Sequence, residues 1–282
     1  MLKKVKPLYK RDFSLKGLMK NMLKKKKVIV SLTSFPAATP YVKDAIKSIL
    51  AGNTLPDIVV LYLTFSQFED RQIPLELVAL AKNNPLFEIR NYNEDIRSYR
   101  KLIPALKDFP NDTIVTVDDD VKYHKNMLRD LLHLHKQIPN VIIANRAKKI
   151  KMNAPYRQWK KYRWYHFFTN RLNFSFKNIQ TGVGGVLYPP NSLNQEMMDS
   201  DIFKEIAPTT DDIWFWAAAV ANGTYILPFP FGKYNKPRGL KKPKNLSLKT
   251  TNFKRGTDLN RRAFEKILKN YTIIKQRIEN EK

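Results

Sequence analysis

The chain has 282 residues and no cysteine, which excludes disulfides, Cys-type zinc sites and a thiol nucleophile. Histidine is nearly as scarce. His124, His133, His135 and His166 form no HExxH pair, and the two-residue spacing of His133 and His135 keeps them off a common helix face. Long apolar runs are missing too. The longest, Ile213 to Ala221, falls well short of the ~18 residues that span a bilayer. The basic N-terminus has no apolar stretch of the secretory kind, so a cytoplasmic protein is expected. Acidic residues are also few, 25 against 51 Lys and Arg, for a net charge of +26. No Asp or Glu occurs from Leu131 to Gln195 or from Gly232 to Arg255. This balance favours a polyanionic partner: nucleic acid, a membrane surface or a phosphorylated substrate.

Against so basic a background, two acidic clusters stand out. Asp118-Asp119-Asp120 ends the apolar run Ile114-Val115-Thr116-Val117. Adjacent carboxylates at ~6 Å and an effective dielectric of ~20 repel by about 3 kcal/mol before screening, and a divalent cation relieves that repulsion. In extended backbone Asp118 and Asp120 share one side and Asp119 takes the other. That suits a D-x-D site for Mg²⁺ or Mn²⁺ bridging carboxylates to substrate phosphates; an acidic turn after a strand is the alternative. The second cluster, Asp211-Asp212, follows Thr209-Thr210 and precedes Ile213-Trp214-Phe215-Trp216. It reads as the capped first turn of a helix, as a general base for an acceptor hydroxyl, or as both.

Apolar content of 43% supports a folded core. Strands are predicted at Val28–Thr33, Ile58–Leu63, Phe87–Tyr92, Thr113–Val117 and Val141–Ala144. Helices are predicted over Tyr41–Leu50, Leu75–Lys82, Leu102–Leu106, Met127–His135 and Asp211–Asn222. This alternation, with nearly continuous apolar strands, implies βαβ units and a mostly parallel α/β sheet. In such a sheet, ligands bind beyond the carboxyl ends of the strands, where the triplet lies. Four segments follow: a basic leader (1–27), an α/β half (28–145), a basic and aromatic half carrying Thr181 to Gly185 and the Asp211-Asp212 helix (146–231), and a basic loop with a last helix (232–282). In the leader, Leu15, Leu18, Met19, Met22 and Leu23 fall on one helical face among lysines. This suits an interfacial helix on anionic lipid, a helix packed on the main domain, or a basic tail. Thr181 to Gly185 is glycine-rich without being GxGxxG or a P-loop. Its glycines either let backbone approach a substrate or form a tight turn. Lys101 either meets a phosphate or is solvated surface.

Taken in order, Val28 to Ser34, Lys101 to Leu106, Thr116 to Val121, Thr181 to Pro190 and Asp211 to Trp214 resemble a glycosyltransferase of the GT-A fold, near the bacterial family-2-like sugar transferases. The resemblance covers about 28–227. It implies a Rossmann-like, mostly parallel central sheet flanked by helices, with an acceptor-side C-terminal region. It implies a nucleotide-sugar donor, UDP-sugar favoured, held through Mn²⁺ or Mg²⁺ on Asp118 and Asp120. The donor-binding set would be Ser31, Thr33, Ser34, Asn93, Asp95, Lys101, Asp118 and Asp119. Asp212, then Asp211, would be the base of an inverting displacement. Thr181, Gly182, Gly184, Gly185 and Trp214 would line the donor–acceptor pocket. The acceptor would be a glycan or lipid-linked hydroxyl, in cell-surface polysaccharide or lipopolysaccharide synthesis, with the enzyme cytoplasmic or peripheral on the inner membrane face. One departure stands out: many such enzymes use a later histidine as a third metal ligand, and none follows His166.

Basic residues of Gly232 to Arg255 are positioned in sequence to steer or close over phosphate. The rival reading is a nucleic-acid-binding protein or nucleotidyltransferase using the basic, aromatic Arg146 to Lys177 stretch. That stretch lacks an RNA-binding signature, and no specific nucleic acid is expected.

Overall fold

A computed structural model describes residues 26–169, 172–232, 235–241, 243, 252 and 257–281. The leader reading therefore lies outside the described residues except at Lys26 and Lys27, as do Lys242, Lys244, Lys249, Lys254 and Arg255 of the basic loop. Among the described residues no helix is long and apolar enough to cross a membrane.

The strands run β1 (Val28–Thr33), β2 (Ile58–Leu63), β3 (Phe87–Asn91), β4 (Thr113–Thr116), β5 (Val121–Lys122), β6 (Ile142–Ala144), β7 (Ala147–Lys149), β8 (Lys160–Lys161), β9 (Asn178–Gln180), β10 (Val186–Tyr188), β11 (Ile226–Pro228) and β12 (Arg238–Gly239). The α-helices are α1 (Thr39–Leu50), α2 (Leu75–Asn83), α3 (Ile103–Asp108), α4 (Met127–Gln137), α5 (Ser200–Ile206), α6 (Asp211–Asn222), α7 (Leu259–Asn270) and α8 (Thr272–Glu279). The main sheet has seven strands in the order β11-β6-β10-β4-β1-β2-β3. All are parallel except β10, which runs antiparallel between β4 and β6. The sequence-predicted strands are all present. β10 was not expected, because its three residues sit inside the glycine-rich segment. It and β11 carry the 146–231 segment into the same sheet as 28–145.

Strand periodicity of two divides the core into two layers. Ile29, Val60, Tyr62 and Ile114 face α6, α7 and α8, where Trp214, Phe215, Trp216, Phe264 and Ile274 are buried. Val30, Leu32, Val59, Leu61 and Val115 face α1 and α4, through Val42, Ile46, Ile49, Leu128 and Leu131. Both faces are covered, so the strands are apolar throughout. α6 is the central helix, buried almost along its length. It ends at Gly223, whose φ of 79° gives the left-handed cap that glycine adopts without strain.

The chain leaves β1 for β2 and β3 on one side, then places β4 on the other side of β1. This reversal creates a switch-point crevice at the carboxyl ends of β1 and β4, where ligands bind in open α/β sheets. Ser34 and the Asp118–Asp120 triplet stand there. The last helix pair anchors the far end of α6: the Arg277 guanidinium donates to the carbonyls of Val220 at 2.5 Å and Ala221 at 2.6 Å. The Val220 carbonyl also accepts from the Gly223 N–H at the cap, at 3.0 Å, and a cation at this end complements the helix dipole. Arg277→Met should lower unfolding stability by about 1–2 kcal/mol in a urea titration.

Candidate active site

β4 ends at Thr116, and the triplet turns away rather than extending the strand. The extended-backbone alternation expected for it is therefore replaced by a turn with divided tasks. The Asp118 N–H donates to the Tyr123 hydroxyl oxygen at 2.8 Å, which fixes the turn. The Ser34 hydroxyl donates to Asp119 Oδ2 at 2.7 Å, tying the ends of β1 and β4 together. The backbone oxygen of Asp120 accepts from the Leu240 N–H at 2.7 Å, and β12 pairs antiparallel with β5. Arg238 to Leu240 thus lie against the triplet.

Lys101 is the hub. It sits in a 3₁₀ turn, Arg97–Lys101, which Tyr99 pins by stacking on Phe203 at 4.1 Å and donating its hydroxyl to the Ala207 carbonyl. The ammonium lies 3.2 Å from Asp118 Oδ1 and 2.9 Å from Asp211 Oδ2, with only 8% of the side chain exposed. Burial disfavours its charge, but Asp118, Asp211 and Asp212 outweigh burial and hold its pKa well above the ordinary lysine value. The surface reading of Lys101 is corrected: the side chain is buried and ion-paired with Asp118 and Asp211.

Gly182 explains why the loop needs glycine. A Cβ there would stand 2.6 Å from Lys101 Nζ and 2.8 Å from Asp118 Oδ1. Its N–H donates to Asp212 Oδ1 at 3.1 Å. Gly184 and Gly185, with φ of 130° and 93°, instead make a tight turn into β10, against Phe231 and Met127. Thr181 is buried and donates both its N–H and its hydroxyl to the Arg146 carbonyl. Of the loop residues, Gly182 makes the close approach to the carboxylates.

Asp211 and Asp212 open α6, but Thr210 at the cap position makes no side-chain capping bond. The hydroxyls of Thr209 and Thr210 are buried without a partner. The capping expectation is therefore corrected: the two acids turn to Lys101 and Gly182. They are not equivalent. Asp211 is buried against the ammonium. Asp212 is half-buried, and its carboxyl is pushed up to about 7, first by burial and then by Asp211, with Lys101 pulling the other way. An acid of that pKa beside a fixed cation can accept a proton from a bound hydroxyl near neutral pH.

Several donor-side expectations acquire other roles. Ser31 is fully buried and donates to the Lys101 carbonyl at 2.7 Å, so it positions the hub instead of meeting nucleotide. Thr33 donates to the Tyr62 carbonyl and accepts from Arg100 Nε, both at 2.8 Å. Asn93 and Asp95 lie on the exposed loop after β3, outside the carboxylate network; Asn93 accepts from Asn91 and Asp95 from the Arg97 N–H. Trp214 is corrected outright. It is fully buried, donates to the Met197 carbonyl and packs on Phe203 and Tyr271. It stabilises α6 from the core side and lines no pocket.

Four further residues of the network were not singled out from the sequence. Buried Arg100 donates to Thr33 and Thr64 and to the Ser34 carbonyl, rigidifying the loop after β1. Gln180 donates to the Asp212 carbonyl. Burial, then Asp212, pushes the phenols of Tyr156 and Tyr188 up, so both stay protonated near the acid. Only the position of Gln180 just before the glycine loop, and of Arg100 beside Lys101, could have marked those two.

Among the described residues no cluster of three His, Asp or Glu side chains is set to hold a metal. The donor chemistry still fits a hard divalent cation. Asp118 and Asp120 offer carboxylate oxygens, and Mg²⁺-type sites commonly take one or two carboxylates and complete the shell with water and substrate phosphate.

Two outcomes follow from this geometry. Lys101→Met leaves Asp118 and Asp211 without their cation, and should cost about 3–5 kcal/mol in denaturant unfolding. Asp212 acts in the opposite sense. Its folded pKa is raised above the unfolded value of ~3.9, so the folded state loses stability as pH climbs from about 4 to about 7. Asp212→Asn should melt with wild type near pH 4 and above it beyond pH 7, by up to a few kcal/mol at ~1.4 kcal/mol per unit. A stability difference that does not vary with pH would contradict this assignment.

No family model and no curated protein matches the sequence. Solved structures do match. Staphylococcus aureus TarS 1-349 superposes with a TM-score of 0.52 at 14% identity, over 76% of this chain and 60% of that one. The same protein in complex with UDP gives 0.50 at 14%, over 77% and 61%. The mannosyltransferase PcManGT from Pyrobaculum calidifontis, in complex with GDP-Man and Mn²⁺, gives 0.50 at 13%, over 89% and 78%. The chain thus spans about 60% of the TarS chain. At such identities the likeness is one of fold, and by its sheet, its helices and these neighbours the chain has a GT-A-like glycosyltransferase fold.

Proposed function

We propose that the protein is a glycosyltransferase that moves a sugar from a nucleoside-diphosphate sugar to an acceptor hydroxyl by direct, inverting displacement. The observation that carries this reading is the Asp212 carboxyl, pushed up to about 7, held on the Gly182 N–H beside the Lys101–Asp118 pair at the switch point of the sheet. The neighbours solved with UDP and with GDP-Man and Mn²⁺ support a nucleotide-sugar donor. A UDP-sugar is favoured, with a glycan or lipid-linked acceptor of the cell surface.

The acceptor oxygen forms its bond to the anomeric carbon while its proton passes to Asp212. The bond from that carbon to the diphosphate breaks, and the nucleoside diphosphate leaves with the electron pair. Lys101 keeps Asp118 and Asp211 in register and offsets the local negative charge, so that Asp212 can be deprotonated at neutral pH. Asp118 and Asp120 would hold Mn²⁺ or Mg²⁺, which when bound neutralises charge on the leaving diphosphate. Ser34 holds Asp119, and with it the β1–β4 crevice where the nucleotide would sit. Arg238, held beside the triplet in β12, adds positive charge at the diphosphate end.

Calorimetry with UDP and GDP, with and without Mn²⁺, tests the donor site. Metal-dependent binding should be present in wild type, lost in Asp120→Asn and kept in Asp212→Asn. Turnover of the matching sugar donor should fall about 10²–10⁴-fold in Asp212→Asn. Because the active form is the carboxylate, kcat/KM in wild type should rise with pH through about 7, and this limb should vanish in the variant. Nucleotide binding indifferent to metal and to Asp120 would remove the transferase reading.

A further inference from the structure

The carboxyl edge of the sheet carries a second feature that the chemistry above does not use. Trp164–Phe168 forms a single 3₁₀ turn, WYHFF. His166 is its inward anchor: the ring is buried, accepts from the Arg163 N–H at 3.1 Å and meets Tyr162 and Tyr165 edge-on. With His166 inside, its neighbours point out. Tyr165 is 50% exposed, Phe167 45% and Phe168 80%. Three outward aromatics flanking one buried residue form an apolar projection of the kind that soluble surfaces avoid unless something covers it. Phe167 meets Phe229 edge-on at 5.4 Å, and Phe229 follows the carboxyl end of β11. The projection therefore lies on the edge of the sheet that carries the carboxylate site.

Along the chain, the charge beside it is of one sign, although Asp130 shares a pocket with Phe167 and Phe229. The two-residue strand β8, Lys160–Lys161, is exposed, as are Arg157 and Arg163, and the acid-free span Leu131 to Gln195 contains the whole feature. Aromatic side chains beside lysines and arginines are the composition of a bilayer interface. The rings enter the headgroup–acyl boundary and the cations meet anionic headgroups. We propose that Lys160 to Phe168 is a lipid-facing surface that seats the protein on an anionic bilayer with the carboxylate site at the membrane. A nucleic-acid platform is disfavoured by the ring geometry. The pairs Trp164–Tyr165, Trp164–Phe168 and Phe167–Phe229 cross at 77°, 88° and 84°. They make a wedge of edges rather than the open parallel faces on which bases stack. The surface is distinct from the leader helix read in the sequence, and it does not depend on the transferase reading.

Trp164 gives the test a built-in probe. The chain has four tryptophans, and Trp159, Trp214 and Trp216 are buried in the core. The full-length protein would be mixed with vesicles of phosphatidylcholine alone and of phosphatidylcholine with phosphatidylglycerol, each also prepared with brominated acyl chains. The expected result is sedimentation with the anionic vesicles, together with quenching of tryptophan emission by the brominated chains. Trp164→Phe should abolish the quenching while most of the binding remains. Phe167→Ser combined with Phe168→Ser should weaken binding about tenfold or more, since each exposed ring contributes apolar area that enters the interface. An unchanged thermal melt would show that this variant still folds. Vesicle binding without quenching of Trp164 would assign the membrane contact to another surface and overturn the proposal, as would no vesicle binding at all. Loss of single-stranded RNA affinity in the double variant, with vesicle binding intact, would also overturn it and make the turn a base-binding element. No arm requires turnover, so failure of the transferase reading leaves the outcome interpretable.

Discussion

A buried ammonium between carboxylates organises the carboxyl edge of the sheet in this protein. Lys101 cannot be removed from water without partners, because an isolated buried charge is far more costly than a paired one. Its partners come from places distant in the chain: Asp118 after β4 and Asp211 at the start of α6. Satisfying one charge thus fixes the end of a central strand relative to the first turn of the central helix. The same demand reaches the loop before β10, because Gly182 is the residue that can lie against the pair without a Cβ meeting the ammonium. Ser31 and Tyr99 hold the turn that delivers the lysine.

The arrangement leaves one acid poorly compensated. Asp211 takes the cation, whereas Asp212 has a single amide donor and a nearby carboxylate. Stability would favour neutralising it. A base that works near pH 7 needs this frustrated environment, and active sites are where such local conflict with folding is expected. The rest of α6 compensates: Ile213 to Val220 are buried, Gly223 caps it and Arg277 holds its carbonyl end.

Charge is distributed with the same asymmetry. The chain is strongly basic, yet its two acidic clusters converge at the crevice through Lys101. Arg238 in β12 stands beside the triplet, and the exposed aromatic turn stands beyond β11. A negatively charged small ligand and a negatively charged surface would thus approach the same edge.

Much of this was legible in the sequence. Apolar runs with helical spacing between them gave the first four parallel strands, α1, α4 and α6 almost to the residue, since period and burial are local properties. The two acidic clusters were visible because carboxylates are rare here, and chain order placed the triplet at a strand end. What could not be read was which side chains neutralise one another. Thr210 looked like a helix cap and Lys101 like surface or a phosphate contact on local chemistry, and Trp214 like pocket lining by resemblance. Their fates are set by partners far away in sequence: two acids around the lysine, Phe203 and Tyr271 around the tryptophan, and Gly182 and Lys101 drawing the helix-opening acids away from the cap. β10 was hidden for the same reason, three residues made a strand only by the neighbours on either side. Local periodicity determined the layers and the places where charge collects; only the tertiary structure decided which charges meet, because electrostatic pairing and desolvation depend on distances in space that the order of residues does not contain.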